Sequence, residues 1–378
     1  MRRLINRYIL KEIFLPFFMI LCVLTFVLLM GKILQVMDLM INKGIGFVEI
    51  GLLMLFLVPS FLVFTIPVSL LIAILIGLGR LSGDNEWTIM KMSGLSLYQL
   101  SIPVCLSALT AFLMTLVTTL FLVPYGNLAS KALLFDMARQ KASVSIREKV
   151  FVDDFQGILL YADSIPVHGD YLEGVLVSDS RISREPSTII ASRAYLVSNP
   201  DTMVVTLRLE DGSTHTVDAD LNNYRKMDFR FYDVRLDFAS NLAADNKHGM
   251  LSSTEMNLSQ LSDAIRKKDA KPEELRELRI ELHKKLTIPF SCILFALIGM
   301  PLAIRAHRSV RSRGFTIGIF LVLIYYLLRI SGEAMVETGR LHATIGTWAP
   351  NLIFAVAGFL VFIFTARERF WDRPTRNV

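Results

Sequence analysis

Residues 77–94 read GLGRLSGDNEWTIMKMSG. Upstream the chain carries no charge from Ile50 to Gly79, and downstream none from Met92 to Ser130. A helix needs roughly 20 mostly apolar residues to cross the hydrocarbon core of a bilayer. The stretch is therefore a polar interruption between two membrane spans. It gathers Arg80, Asp84, Glu86, Trp87 and Lys91 into a short space.

The same pattern extends outward. The 378 residues are 53% hydrophobic, with a mean hydropathy of +0.49, too apolar for an ordinary soluble domain. Six segments read as spans: Ile13–Gly31, Ile50–Gly79, Met92–Ser130, Leu286–Ile304, Gly314–Leu328 and Ala343–Ala366. Pro59 and Pro67 are expected to kink the second. The third is long enough to protrude or to begin with an interfacial piece. The N-terminal MRRLINRYILKE resembles the basic start of a signal peptide, but the apolar run behind it is too long and no A-x-A site follows. It reads as a retained first span with an amphipathic lead-in at the membrane surface.

Lys and Arg in short loops set orientation. Arg2, Arg3, Arg7 and Lys11 precede span 1, and Arg80 and Lys91 lie between spans 2 and 3. Arg305, Arg308, Arg311 and Arg313 lie between spans 4 and 5, and Arg367, Arg369, Arg373 and Arg376 follow span 6. The other side has Lys43 and Arg340. Both termini and residues 77–94 are expected in the cytoplasm, and the polar middle outside. The net charge of +6 fits such flanking, and no nucleic-acid motif accompanies it, so nucleic acid is not an expected partner. Cys22, Cys105 and Cys292 all sit in apolar runs and read as small buried hydrophobes.

Residues 140–255 read as strands. MVVTLRLEDGSTHTVDAD (203–220) alternates Val205, Leu207 and Leu209 with Thr206, Arg208 and Glu210, and Asp211-Gly212 predicts a tight hairpin turn. In MDFRFYDVRLDF (227–238), Phe229 and Phe231 share one parity, and Tyr232, Val234, Leu236 and Phe238 the other, which predicts a bulge or a sheet crossing. Turn signals at His168-Gly169-Asp170 and Asn199-Pro200-Asp201 complete a β-sandwich or open-barrel reading. Pro272 predicts a helix start in AKPEELRELRIELHKKL (270–286), running straight into span 4.

Catalytic motifs are missing. No P-loop, H-E-x-x-H or G-x-S-x-G occurs, the six histidines are scattered, and the spans hold almost no ionisable residues. Enzymes, proton-coupled transporters and metal sites lose ground. Two readings remain: a membrane protein that handles something apolar, or a non-transporting scaffold or signalling protein whose outer β domain binds a partner.

The layout and several motifs resemble the LptF/LptG (YjgP/YjgQ-type) permeases. NEWTIMKMSGLS (85–96) is similar to that family's loop pattern at Glu86, Trp87, Met90, Ser93 and Gly94. IELHKKLTIPFSCILFALIGMPLAIRAHRSVRSRGF (280–315) is similar to its start of span 4 and the Arg-rich turn beyond. GILLYADSI (157–165) and LRLEDGSTH (207–215) resemble pieces of its β domain. The resemblance implies a polytopic α-helical membrane protein with six transmembrane helices and an inserted periplasmic β-jellyroll-like domain. The implied domains are a membrane half over 1–130 with a cytoplasmic coupling helix near 82–94, the β domain over 131–255, linker helices over 256–285 and a second membrane half over 286–378. It further implies an inner-membrane ABC transporter subunit for lipopolysaccharide, with no cofactor of its own. ATP would be used by the separate ATPase LptB, and the other partners would be a paralogous permease half, LptC and LptA. The Lys32 position suggests the LptF half.

Three residues carry the coupling expectation. From the residues alone, Glu86 is either a solvated loop acid or the charged contact of a helix capped by Ser82 or Asp84 and ended by Gly94. Trp87 and Met90 form an i, i+3 apolar pair suited to a groove. With the resemblance, all three become ATPase-coupling residues. Lys32, near the outer end of span 1, either snorkels to the interface or, as the resemblance implies, meets the substrate's phosphates. A neighbouring basic position of the family is Gln35 here. The cluster Arg305–Arg313 reads as a positive-inside anchor. Arg329, Glu333 and Glu337, at i, i+4 and i+8, read as a helix-surface ion network or as the rim of a cavity.

Overall fold

The structure is a computed structural model. It describes residues 2–43, 46–145, 148–155, 157–166, 171–181, 187–199, 204–217, 224–236, 252–266, 272–305 and 310–366. Contacts divide the chain into two compact units. One comprises residues 1–33, 56–127 and 253–378, the other residues 34–55 and 128–252.

Helices make up most of the described part of the first unit and, over residues 34–43, 47–55 and 128–145, part of the second. Helix α1 (Arg2–Lys43) and α2 (Phe47–Gly83) come first, then the short α3 (Glu86–Met92). Next, α4 (Leu97–Val117) passes through a π turn at Thr118–Leu122 into α5 (Val123–Ser145). After the strands come α6 (Leu258–Arg266), α7 (Pro272–Arg305), α8 (Val310–Glu337) and α9 (Ala343–Ala366). Among the described residues, six helices are long and apolar enough to cross a membrane: Arg3–Gln35, Phe47–Gly83, Leu97–Met137, Pro272–Ile304, Thr316–Glu337 and Ala343–Ala366. Most observed helices outrun the uncharged segments read from sequence, because charged residues at the ends extend a helix that the interface solvates.

Pro59 and Pro67 lie inside α2 without interrupting it. Of the two alternatives for span 3, the helix protrudes: α4, the π turn and α5 run on from Leu97 to Ser145. Pro272 opens α7 with Glu273 and Glu274 in its first turn, and the helix runs unbroken to Arg305. The apolar windows of α2 and α7 are mostly buried, those of α1 and α8 mostly outward-facing. One buried cluster joins Ile9, Ile13 and Phe17 of α1, Leu70, Leu71 and Ile74 of α2, Leu100 and Val104 of α4, and Phe295, Tyr325 and Phe354 of α7, α8 and α9. Helices α1 and α2 meet closely at Gly77. A Cβ there would stand 2.5 Å from the Glu12 carbonyl oxygen, so only glycine permits the approach.

A polar network lies inside this apolar packing. Tyr325 donates from its hydroxyl to Asn351 Oδ1 (2.7 Å), and Asn351 Nδ2 donates to the Thr287 carbonyl (2.9 Å). The network ties α7, α8 and α9 together, where unpaired polar groups would be costly.

The second unit carries β1 (Phe151–Phe155), β2 (Ile158–Ser164), β3 (Tyr171–Asp179), β4 (Ser187–Asn199), β5 (Val204–Val217) and β6 (Tyr224–Leu236). They form one antiparallel sheet in chain order. One face supplies Leu160, Val175, Val177, Leu207 and Leu209, all fully buried in a single cluster with Val234 and Leu236. The cluster also takes in Phe135 of α5, and Ile165, Leu196, Phe229 and Tyr232 pack against it. Among the described residues the inner face is a packed core.

Two β readings are corrected. Asp211-Gly212 is not a hairpin turn, because β5 runs through it in unbroken register with both neighbours. Asp211 has φ +50°, and a Cβ on Gly212 would fall 2.2 Å from the Ile190 carbonyl oxygen. The dipeptide supplies a kink inside a long strand. The parity switch in β6 comes with no register shift, so it is not a bulge. It falls opposite the kink: Tyr232, Val234 and Leu236 turn inward, while Phe231 is exposed. The signals at 168–170 and 200–201 lie outside the described residues.

Candidate functional site

Helix α3 is held between two cap structures. Its N-cap is Asn85, with φ 58° and no side-chain hydrogen bond to the helix. Ser82, one of the two expected caps, instead donates from Oγ to the Ile304 carbonyl at the end of α7 (2.8 Å). Asp84, the other, is exposed and precedes the cap. At the C-terminus Gly94 has φ +84°. Its N–H donates to Lys91 O (2.9 Å) and that of Leu95 to Met90 O (3.3 Å), the paired bonds of a Schellman motif. Ser96 and Gln99 then open α4 with a reciprocal capping box. The helix between these caps is seven residues long, too short to be stable by itself, so packing must fix it.

The packing comes from Trp87, which is 3% exposed and belongs to the buried cluster that includes Ile9, Ile13, Leu78 and Leu81. Met90 packs against the same cluster. This corrects the outward face read from sequence. Trp87 and Met90 do form an i, i+3 apolar pair, but it faces the protein's own core. The outward apolar pair is Ile89, 60% exposed, and Met92, 83% exposed, again at i, i+3. A short amphipathic helix has two such pairs, and the larger side chains went inside because burial there removes more apolar area from water.

Glu86 is half-buried at the start of α3. Its Oε2 accepts from the Tyr8 hydroxyl on α1 (2.9 Å). That hydroxyl accepts from Arg80 at the end of α2 (3.1 Å), and Arg80 pairs with Glu12 on α1 (2.7 Å). Glu86 is thus the outer member of a four-residue chain that joins α3, α1 and α2. Sequence reading had Arg80 as an orientation charge and did not find Tyr8 or Glu12. The helical spacing of Tyr8 and Glu12, i and i+4, was the available signal.

The other candidates stand apart. Lys32 is half-buried on α1 near the end of its apolar window, and Gln35, one turn further, is exposed. At 1.5 Å per residue, roughly 36 Å separate Tyr8 from Lys32 along the helix, about one bilayer core plus part of an interface. Lys32 and Glu86 therefore do not form one site.

Arg329 and Glu333 pair on α8 (2.8 Å), and Glu333 also pairs with Lys284 of α7 (2.9 Å), itself 3.8 Å from Glu281. The ion network therefore bridges two helices. Glu337 contributes a carbonyl oxygen to Arg276 (3.1 Å). In the Arg305–Arg313 cluster, Arg308 lies outside the described residues, as do Arg367, Arg369, Arg373 and Arg376. Among the described residues no group of three or more His, Cys, Asp or Glu is placed to hold a metal.

A sequence model of the family described as lipopolysaccharide export system permease LptF/LptG matches residues 7–364. The lipopolysaccharide export system permease protein LptF of Escherichia coli K12 is 22% identical over 386 aligned residues, covering 99% of this chain and 97% of that protein. The protein of the same name from Shigella flexneri gives the same figures. An uncharacterized protein of Rickettsia prowazekii is 23% identical over 258 residues, covering 68% of this chain and 70% of its own length.

Proposed function

The chain belongs to the LptF/LptG family of lipopolysaccharide export permeases, and from that premise we propose that it is the LptF-type half of an inner-membrane ABC transporter. A paralogous half completes the membrane cavity, cytoplasmic LptB ATPases supply ATP hydrolysis, and LptC and LptA receive the extracted lipid. Both termini and α3 face the cytoplasm, and the β unit faces the periplasm. The LptF assignment follows the names of the relatives and the basic residue at Lys32. Lys32 would meet a lipid phosphate at the outer interface.

The observation that carries this reading is α3. It is a short amphipathic helix between two spans, anchored through Trp87, that presents Glu86, Ile89 and Met92 away from the core. Apolar side chains at helical spacing beside a carboxylate suit a partner groove that offers a basic residue. The chain itself has no nucleotide-binding motif, so a helix of this kind is where an external motor would hold it.

Glu86→Lys tests the docking. The variant is expected to insert in the membrane in normal amount while recovery of the co-expressed ATPase falls by about tenfold or more, as expected when a charged contact becomes a repulsion. Wild-type ATPase recovery and lipid export in this variant would remove Glu86 from the docking surface.

A further inference from the structure

Glu86 is already engaged inside the chain before any partner arrives. Tyr8 donates to one of its carboxylate oxygens, and Tyr8 is in turn held by Arg80, whose charge is anchored on Glu12. Four side chains thus run α3 to α1 to α2 and back to α1, one turn along from Tyr8. A carboxylate has about four acceptor positions, so one hydrogen bond from Tyr8 leaves room for a basic residue from outside. The anchored end is firm. Arg80 and Glu12 are both partly buried, and they sit one turn or less from the Gly77 contact, where the α1 and α2 backbones meet. Trp87 adds an apolar anchor at the next residue of α3.

We propose that Tyr8 is a tie that transmits displacement of α3 to span 1, through the juxtaposition of the Tyr8 hydroxyl with Glu86 and with the Arg80–Glu12 pair. The inference rests on the reading of α3 as the docking helix. It adds to that reading the route by which motion reaches the membrane. Glu86 then has two separable jobs: its charge holds the motor, and its acceptor oxygen holds α1. Beyond the buried contacts of Ile9, Ile13, Phe17 and Leu21, the apolar window of α1 is mostly outward-facing, so little packing along the rest of the helix resists its movement. It is also the helix that carries Lys32, so a pull at Tyr8 acts on the helix that would meet the lipid.

Two substitutions separate the jobs. Tyr8→Phe keeps the ring and removes the hydroxyl. In the reconstituted complex of both permease halves and the ATPase, it is expected to recover ATPase as wild type does but to release fewer lipids per ATP hydrolysed. The expected drop is about tenfold, the factor one hydrogen bond to a charged acceptor sets in a tied–untied equilibrium. Glu86→Gln keeps an acceptor for Tyr8 and loses the charge, so ATPase recovery falls while lipid release per bound and hydrolysing ATPase is preserved. Glu12→Gln loosens the anchor without touching α3 and is expected to lower the same ratio as Tyr8→Phe. A wild-type ratio in Tyr8→Phe overturns the tie and leaves docking standing. Loss of ATPase recovery in Tyr8→Phe also overturns it, by making Tyr8 an orienting residue for docking alone. If the wild-type chain recovers no ATPase, the docking reading itself fails.

Discussion

Trp87 is the residue at which one-dimensional reading and packing part. Its neighbours mark it as an outward contact for a partner groove, because it sits in a polar loop between two spans. Its indole is nevertheless buried, and its Nε1 has no hydrogen-bond partner among the described residues. Apolar burial outweighs that missing bond, since a buried aromatic contributes more than one neutral hydrogen bond returns. The consequence is measurable. Trp87→Ala is expected to lower the stability of the purified protein by about 3–5 kcal/mol, the usual cost of emptying a packed aromatic site. Met92→Ser and Ile89→Ser are expected to leave thermal denaturation within about 0.5 kcal/mol of wild type, as exposed substitutions do. Their ATPase recovery should fall instead. If Met92→Ser melts early and Trp87→Ala does not, the assignment of faces on α3 is reversed.

At the scale of elements, the sequence named the right signals and sometimes gave them the wrong use. Asp211-Gly212 reports a backbone that can adopt positive φ. Hairpin turns need that, and so does a kink in a long strand. Which of the two forms depends on whether β4 and β6 continue alongside, and both do. Gly94 was read as the end of a helix and is one, because the Schellman bonds it makes are local. Ser82 was read as a cap and is instead bonded to α7, more than two hundred positions away in the chain. Gly77 lies in an unbroken apolar run, and nothing near it in sequence marks it as a contact. Gly77→Val is expected to push α1 away from α2 at a cost of about 1–3 kcal/mol, the range for overpacked interiors. Denaturation of the purified protein reads the cost, and loss of the Arg80–Glu12 pairing should lower lipid release per ATP in the same variant. Unchanged stability would mean that α1 and α2 do not meet there.

At the scale of the molecule, the two units can be compared in the forces that hold them. The helical unit is stabilised by apolar packing and by hydrogen bonds among neutral groups such as Tyr325 and Asn351. Both units also carry ion pairs, among them Arg80–Glu12 and Lys284–Glu333 in the helical one and Arg208–Asp233 and Arg181–Asp179 in the β one. Asp233 is lowered below the ordinary carboxylate range first by its hydrogen bond from Arg208. For Asp179, burial by itself raises the value, and the hydrogen bonds and charge of Arg181 outweigh it, so the net shift is also downward. A carboxylate whose folded value lies below its unfolded value of about 3.9 adds stability above that value and loses it as pH falls through the folded value. Hydrogen exchange of β3 and β6, corrected for intrinsic rate, should therefore stay slow from neutral pH to about pH 5 and accelerate below about pH 4. Asp179→Asn should remove much of that acid sensitivity, and an unchanged acid response in that variant would show that the Asp179–Arg181 pair does not govern it.

The sequence by itself determined the six spans, the inserted strands and the polar loop with Glu86. Hydrophobicity and charge act through local windows, and a bilayer sorts those windows without reference to distant parts of the chain. It also determined the cap at Gly94 and the start of α7 at Pro272, since each depends on the backbone preference of one residue. Only the tertiary structure decided that Glu86 meets Tyr8, that Arg80 is spent on Glu12, that Lys284 joins Glu333, and that Trp87 faces inward. Each of these pairs or faces joins residues remote in the chain, and which remote groups come within 3 Å of one another is fixed by helix packing, a property that no periodicity along the sequence encodes.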